Sequence, residues 1–122
     1  MSESIRISVD AMGGDKRPRV AVEGAYLFWR ERKNTTYIFH GRESELAPLV
    51  AEFPELGKVS RIVHCDIVIS MEEKPSQALR KGRGNSSMWA AVQSVRDGEA
   101  DVAISGGNTG ALMAMSTMCL RP

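Results

Sequence analysis

Residues 104–114, ISGGNTGALMA, place three glycines and several hydrogen-bonding side chains between a strand-like run and a helix-like run. Glycines let the backbone approach a ligand closely, and a following helix aims free N–H groups and its positive dipole end at that ligand. Side-chain hydroxyl and amide groups there add further donors. This pattern suits a phosphate-sized anion, held by Ser105, Gly107, Asn108, Thr109 and Gly110. A tight turn with Asn108 as a helix cap is an equally good interpretation.

Two familiar nucleotide motifs do not describe this turn. A P-loop needs Gly-Lys followed by Ser or Thr, and no such sequence follows Gly110. The dinucleotide fingerprint needs GxGxxG and a later acidic residue for the ribose, whereas the spacing here is GGxxG. The turn therefore indicates anion binding of another kind.

A second glycine turn, DAMGGD, lies near the start of the chain. Asp10 and Asp15 flank Gly13 and Gly14. Paired carboxylates can hold a metal ion or act as acid and base. They can also cap the turn and the next helix, and this is the interpretation that we favour.

Four basic residues cluster in KPSQALRKGRG, namely Lys74, Arg80, Lys81 and Arg83. They form either a solvated basic loop or a mobile arm that neutralises an acidic ligand or partner. His40 and His64 each close a strand without an acidic or nucleophilic companion nearby in sequence, which favours structural roles. Cys65 and Cys119 are expected to be small buried residues.

Periodicity places these motifs on secondary structure. Strands are predicted at 5–10, 36–41, 61–65 and 100–105, and helices from Pro18 to about Arg32, at 43–53 with Pro48 in its first turn, at 76–80, at 86–98 and after 106–110. Strands that alternate with helices indicate a parallel sheet covered on both faces. Both glycine turns follow the carboxyl ends of strands, where such sheets bind ligands.

Composition excludes several classes of function. The 122 residues carry 16 basic and 15 acidic side chains, so no overall field favours nucleic acid or a membrane surface. Two distant cysteines give no disulfide framework, which indicates a reducing, cytoplasmic setting. No secretory signal and no run of about 20 apolar residues is present in the sequence.

Four motifs in one order carry a family resemblance. They are VDAMGGD, SMEEKPSQALR, SSMWAAV and SGGNTGALMA. Together they resemble the PlsX family, the phosphate:acyl–acyl-carrier-protein acyltransferases of bacterial phospholipid synthesis, and the similarity covers roughly residues 5–122. The family pattern at the second turn is SAGNTGA. Gly106 stands at the alanine position here, which loosens the backbone slightly and leaves the anion interpretation intact.

The resemblance implies an activity and its partners. The family transfers a long-chain acyl group from acyl carrier protein to inorganic phosphate, and the acyl phosphate product passes to a membrane glycerol-3-phosphate acyltransferase. The resemblance implies a cytosolic homodimer with peripheral membrane contact and no nucleotide cofactor. We also expect no metal site. The implied fold is a three-layer α/β/α sandwich with a mainly parallel sheet, similar to isocitrate and isopropylmalate dehydrogenases.

Family members are also longer. We therefore expect residues 1–122 to be a single α/β domain, the N-terminal part of a longer acyltransferase, with an incomplete sheet. We assign catalysis to Asn108, Thr109 and Lys81, a cleft wall to Asp10, Gly13, Gly14 and Asp15, and phosphate or carrier-protein contact to Arg83. The alternatives are a phosphotransacetylase-like enzyme that uses coenzyme A, and a non-catalytic fragment that only dimerises or binds carrier protein.

Overall fold

A four-stranded parallel sheet organises the protein. The structure, a computed structural model, describes residues 4–12, 17–68, 74–84, 86–105 and 119–120. The strands are β1 (Ile5–Asp10), β2 (Thr35–Gly41), β3 (Ser60–His64) and β4 (Val102–Ser105), in the spatial order β3-β2-β1-β4. The helices are α1 (Arg17–Glu31), α2 (Glu43–Ala51), α3 (Pro54–Gly57), α4 (Pro75–Gly82) and α5 (Ser87–Arg96).

One face of the sheet is apolar. Successive strand residues point to opposite faces, so Ile7, Val9, Tyr37 and Phe39 share one side. They pack in a single core with side chains of α1, α2 and α3, namely Val22, Ala25, Trp29, Leu46 and Leu56. Phe39 is fully buried at the centre of this core.

The opposite face is covered by α5 and is unusually polar. Ser8 is buried and donates a hydrogen bond of 2.9 Å from its Oγ to the carbonyl oxygen of Ala91 in α5. Asp10 and His40, on the same side, are 3% exposed each. Helices α4 and α5 share a second small core that contains Ala78, Met88, Trp89, Val92 and Cys119. The prediction of an α/β fold with helices on both sides of a parallel sheet is confirmed.

Element boundaries differ from the predictions in informative ways. We had expected Pro48 in the first turn of α2, but it is the sixth residue of that helix. The N–H that proline lacks would bond to the carbonyl of Ser44, and both residues are exposed, so water can satisfy that carbonyl. The short helix expected at 76–80 extends over Pro75–Gly82.

The edge strand β4 begins later than predicted because Asp101 has another partner. Its carboxylate accepts hydrogen bonds from the Arg6 backbone N–H at 2.8 Å and from the Arg6 guanidinium at 3.1 Å. The backbone N–H of Asp101 in turn donates to the Arg6 carbonyl at 2.7 Å. This double contact fixes the start of β4 against β1.

Gly41 at the end of β2 leaves room for a neighbouring side chain. A Cβ placed there would lie 2.6 Å from Cγ and 2.8 Å from Sδ of Met12, whereas a Cβ at Gly24 on exposed α1 would meet nothing within 4 Å. We predict that Gly41→Ala lowers the free energy of unfolding by about 1–3 kcal/mol through overpacking. Gly24→Ala should raise it by about 0.5–1 kcal/mol because alanine favours the helix. Urea unfolding of both variants tests this pair, and equal effects would contradict it.

Candidate functional site

The strand order reverses between β1 and β4. The chain runs from β1 outward through β2 to β3, and then returns to place β4 on the other side of β1. In open parallel sheets ligands bind in the crevice beyond the carboxyl ends of the two strands at such a reversal. Asp10 ends β1 and Ser105 ends β4, so both lie at this crevice.

The carboxylate of Asp10 gathers three hydrogen-bond donors at that point. Oδ1 accepts from the Ser87 hydroxyl at 2.6 Å and from the Met12 backbone N–H at 3.2 Å. Oδ2 accepts from the Ser105 hydroxyl at 2.8 Å. A buried carboxylate is tolerated only where such donors replace water. We call Asp10, Ser87 and Ser105 the carboxylate–serine cluster.

Local structure brings the members of this cluster together. The parallel register pairs Asp10 with Ser105. Ser87 is the first residue of α5, and Ser86 before it caps the helix by accepting a hydrogen bond from the Trp89 N–H at 3.1 Å. The Ser87 N–H donates to the Ile67 carbonyl at 3.1 Å, which holds the start of the helix against the segment after β3.

His40 lies beside Asp10 on the neighbouring strand. The register pairs these two residues, and the His40 Nε2 lies 3.0 Å from Oγ of Ser94 in α5. Its Nδ1 is buried and has no hydrogen-bond partner among the residues that the structure describes. Burial lowers the pKa of His40 to about 4, with a smaller contribution from the charge of Arg61. The imidazole is therefore neutral near pH 7, in agreement with the expected structural role.

An open pocket of about 470 Å³ lies at the carboxyl end of β3. It is lined by His64, Cys65, Asp66, Ile67, Gly84 and Ala90. Burial raises the pKa of the Cys65 thiol, and the charges of Asp10 and Asp66 raise it further, so this cysteine is a neutral thiol. Ile67 of this lining accepts the hydrogen bond from the Ser87 N–H, so the pocket adjoins the carboxylate–serine cluster.

His64 has a structural task at the rim of this pocket. Its Nδ1 accepts a hydrogen bond from the Glu43 backbone N–H at 3.1 Å, which satisfies a free amide at the start of α2. Because Nδ1 accepts, the ring proton lies on Nε2, which donates to Asp66 Oδ1 at 2.8 Å. The side chain of His64, the last residue of β3, thus caps the start of α2.

The two predicted basic contact residues lie near the start of α5. Lys81 is exposed in the last turn of α4. The guanidinium of Arg83 lies 5.9 Å from the ring centroid of Trp89, within the range of a cation–π interaction. Residues two apart on a helix point to nearly opposite sides, so this contact with Trp89 does not place Arg83 beside Ser87 and the carboxylate–serine cluster.

Comparison with known proteins identifies the chain. The family described as fatty acid synthesis protein matches residues 5–122. The chain belongs to this family. The match confirms the resemblance to the PlsX family that the four motifs indicated.

Relatives from three bacteria carry the name phosphate acyltransferase. The chain is 52% identical over 117 residues to the protein of Chelativorans sp., and also 52% identical to that of Mesorhizobium japonicum. It is 49% identical over 121 residues to the protein of Azorhizobium caulinodans. These alignments cover 96%, 96% and 99% of this chain, but only 33%, 33% and 34% of the relatives. The chain therefore spans about a third of their length.

Two of the residues predicted for the site are in direct contact in the structure. Asp10, predicted for the cleft wall, accepts a hydrogen bond from Ser105, predicted to bind phosphate. Seven further predicted residues lie outside the described residues, namely Gly13, Gly14, Asp15, Gly107, Asn108, Thr109 and Gly110. In the described part of the chain, no group of three or more histidine, cysteine or acidic side chains could hold a metal ion.

Sequence reasoning missed Ser87 as a member of the site. The signal was present as two adjacent serines before an apolar helix, of which one suffices for the cap. The second serine, Ser87, is not needed for the cap. Its side chain points at the sheet and donates a hydrogen bond to the buried Asp10 of β1.

His40 gives a prediction about pH. Its folded-state pKa of about 4 lies below the ordinary value of 6.5, so protonation favours the unfolded chain. The stabilisation is complete above about pH 6.5 and is lost as the pH falls toward about 4, by on the order of 3 kcal/mol. We expect His40→Gln to lose less unfolding free energy than the native chain across that interval. Urea unfolding at several pH values measures this, and parallel curves for the two proteins would refute it.

Proposed function

We propose that the chain forms the front part of an enzyme that transfers a long-chain acyl group from acyl carrier protein to inorganic phosphate. The observation that supports this most directly is about 50% identity, along nearly the whole chain, to proteins named phosphate acyltransferase. The proposal extends their name to substrates and a product, namely an acyl thioester, phosphate and acyl phosphate.

The reaction depends more on the positioning of phosphate against the thioester than on a strong base. Phosphate at neutral pH already has nucleophilic oxygens, and the difficult step is to hold a hydrated anion against a thioester carbonyl. Well-oriented reactants can gain on the order of 7–11 kcal/mol from such positioning. Backbone N–H groups of the turn after β4 are suited to this task because they would face the crevice at the strand-order reversal.

We assign roles to side chains on this basis. The turn residues Ser105, Gly107, Asn108, Thr109 and Gly110 would surround phosphate, with Asn108 and Thr109 as donors to the reacting groups. Asp10, Gly13, Gly14 and Asp15 would form the adjoining wall. Lys81 and Arg83 would meet either phosphate or the acidic surface of the carrier protein, because their positive charges favour either anionic partner.

The same proposal covers the complete fold, the oligomeric state and the downstream partner of the enzyme. The fold would be completed as a sandwich similar to isocitrate and isopropylmalate dehydrogenases, and the enzyme would act as a cytoplasmic homodimer without a nucleotide cofactor. Its acyl phosphate would pass to a membrane glycerol-3-phosphate acyltransferase through peripheral contact. No helix in the described part of the chain is both long and apolar enough to span a bilayer.

The turn assignment is tested by phosphate titration. The assay uses the full chain, alongside a hybrid in which the chain replaces the third of the Chelativorans protein that it matches. We expect Asn108→Ala and Thr109→Val to raise the phosphate KM or to lower kcat, by up to about 10²–10³-fold for a lost oxyanion donor. Gly24→Ala, on exposed α1, should leave both constants unchanged.

A second assay tests the activity itself. Long-chain acyl thioesters of carrier protein and of coenzyme A are compared, with radiolabelled phosphate as the second substrate. Labelled acyl phosphate from the carrier-protein thioester supports the proposal, and a preference for coenzyme A indicates the phosphotransacetylase alternative. If neither protein forms acyl phosphate while the unmodified relative does, the proposal fails. Unchanged constants in both turn variants would remove the turn assignment alone.

A further inference from the structure

The direction of the hydrogen bonds in the carboxylate–serine cluster determines which hydrogen bonds Ser105 can make with a ligand. All three groups around Asp10 donate to its carboxylate, and the Ser105 hydroxyl is one of them. A hydroxyl has a single proton and two acceptor lone pairs. While its proton points at Asp10, the Ser105 hydroxyl can act only as an acceptor toward a ligand and cannot donate to one.

Exposure places Ser105 between Asp10 and the crevice. Asp10 is 3% exposed, whereas Ser105 is only partly buried at the end of the edge strand. Any ligand beyond the strand ends would therefore meet the serine oxygen and not the carboxylate. A ligand that carries a proton on oxygen would be the partner that such an acceptor prefers.

Monohydrogen phosphate is a ligand of this kind, and the proposed reaction must move its proton. Phosphate and a thioester give acyl phosphate and a thiol. A P–O–C bond forms, the C–S bond breaks, and the proton of the P–OH group ends on sulfur. This argument rests on the proposed function, which supplies both reactants. No oxidant, metal or further reactant is needed for the balance.

We propose that Ser105 and Asp10 carry this proton. The P–OH group donates to Ser105 Oγ while the serine proton moves onto Asp10 Oδ2. The same path, in reverse, delivers a proton to the departing thiolate. Ser105 touches the substrate, and Asp10 acts through it.

Ser87 and the Met12 N–H keep the carboxylate in place for this step. Their bonds to Oδ1, at 2.6 Å and 3.2 Å, leave Oδ2 directed at Ser105. They also delocalise the negative charge of Asp10 before a phosphate anion approaches. Ser87 is thus a positioning residue, and the Ser87 hydroxyl makes the shorter of these two contacts.

The test varies the leaving group. Two acyl thioesters of the same chain length are compared with phosphate, one of N-acetylcysteamine, an alkyl thiol, and one of 4-nitrothiophenol, whose far more acidic thiol departs without a proton. We expect Asp10→Asn and Ser105→Ala to lower kcat for the alkyl thioester by about 10²–10⁴-fold, the usual contribution of proton transfer. With the nitrothiophenyl thioester the loss should be less than about tenfold. Ser87→Ala should show the same dependence in weaker form, and Ser105→Thr should restore the alkyl rate.

Ser8→Ala is the matched control. Ser8 is a buried serine on the same face of β1 and also bonds to α5, but it lies away from the strand ends. It should leave the ratio of the two rates unchanged. The full chain and the hybrid with the Chelativorans protein are both assayed, and urea unfolding reports whether each variant folds.

The outcomes separate this inference from the proposed function. If the native protein forms acyl phosphate but Asp10→Asn and Ser105→Ala slow both thioesters equally, or neither, the proton path is wrong and the function stands. If Asp10→Asn does not fold, the partly buried Ser105→Ala variant decides alone. If the native protein forms no acyl phosphate from either thioester, the function and the proton path both fail.

Discussion

The hydrogen bonds to the Asp10 carboxylate are the constraint on which the arrangement of the site depends. A buried negative charge is costly unless donors surround it, and here the donors come from three separate parts of the chain. Ser105 ends the edge strand, Ser87 begins the helix on the polar face, and the Met12 N–H belongs to the first turn. One side chain therefore fixes the relative position of β1, β4 and α5 at the crevice.

The two faces of the sheet stabilise the fold by different interactions. The face under α1, α2 and α3 is apolar and supplies hydrophobic stability. The face under α5 buries Ser8, Asp10 and His40, and each finds a partner in that helix. Hydrogen bonds have directions whereas apolar contacts do not, so the polar face determines the register and orientation of α5.

The family assignment and the site geometry support each other from different directions. Similarity to named phosphate acyltransferases carries no information on which atoms meet. The reversal of strand order, with Asp10 and Ser105 at its edge, indicates a ligand crevice without any reference to relatives. That an oxyanion binds backbone N–H groups of the turn after β4 is our proposal, and it extends this crevice by one turn.

The sequence by itself determined the kind of fold and the family. Alternating apolar runs with glycine turns predicted all four strands and their parallel arrangement, because periodicity and turn chemistry are local properties. Four motifs determined the family, because a sequence motif is also a local property. Only the tertiary structure decided that Ser87 meets Asp10 across 77 residues, and that the Ser105 proton points inward. Such contacts depend on strand register and on the angle of α5, which are set by packing between distant segments and leave no spacing in the sequence.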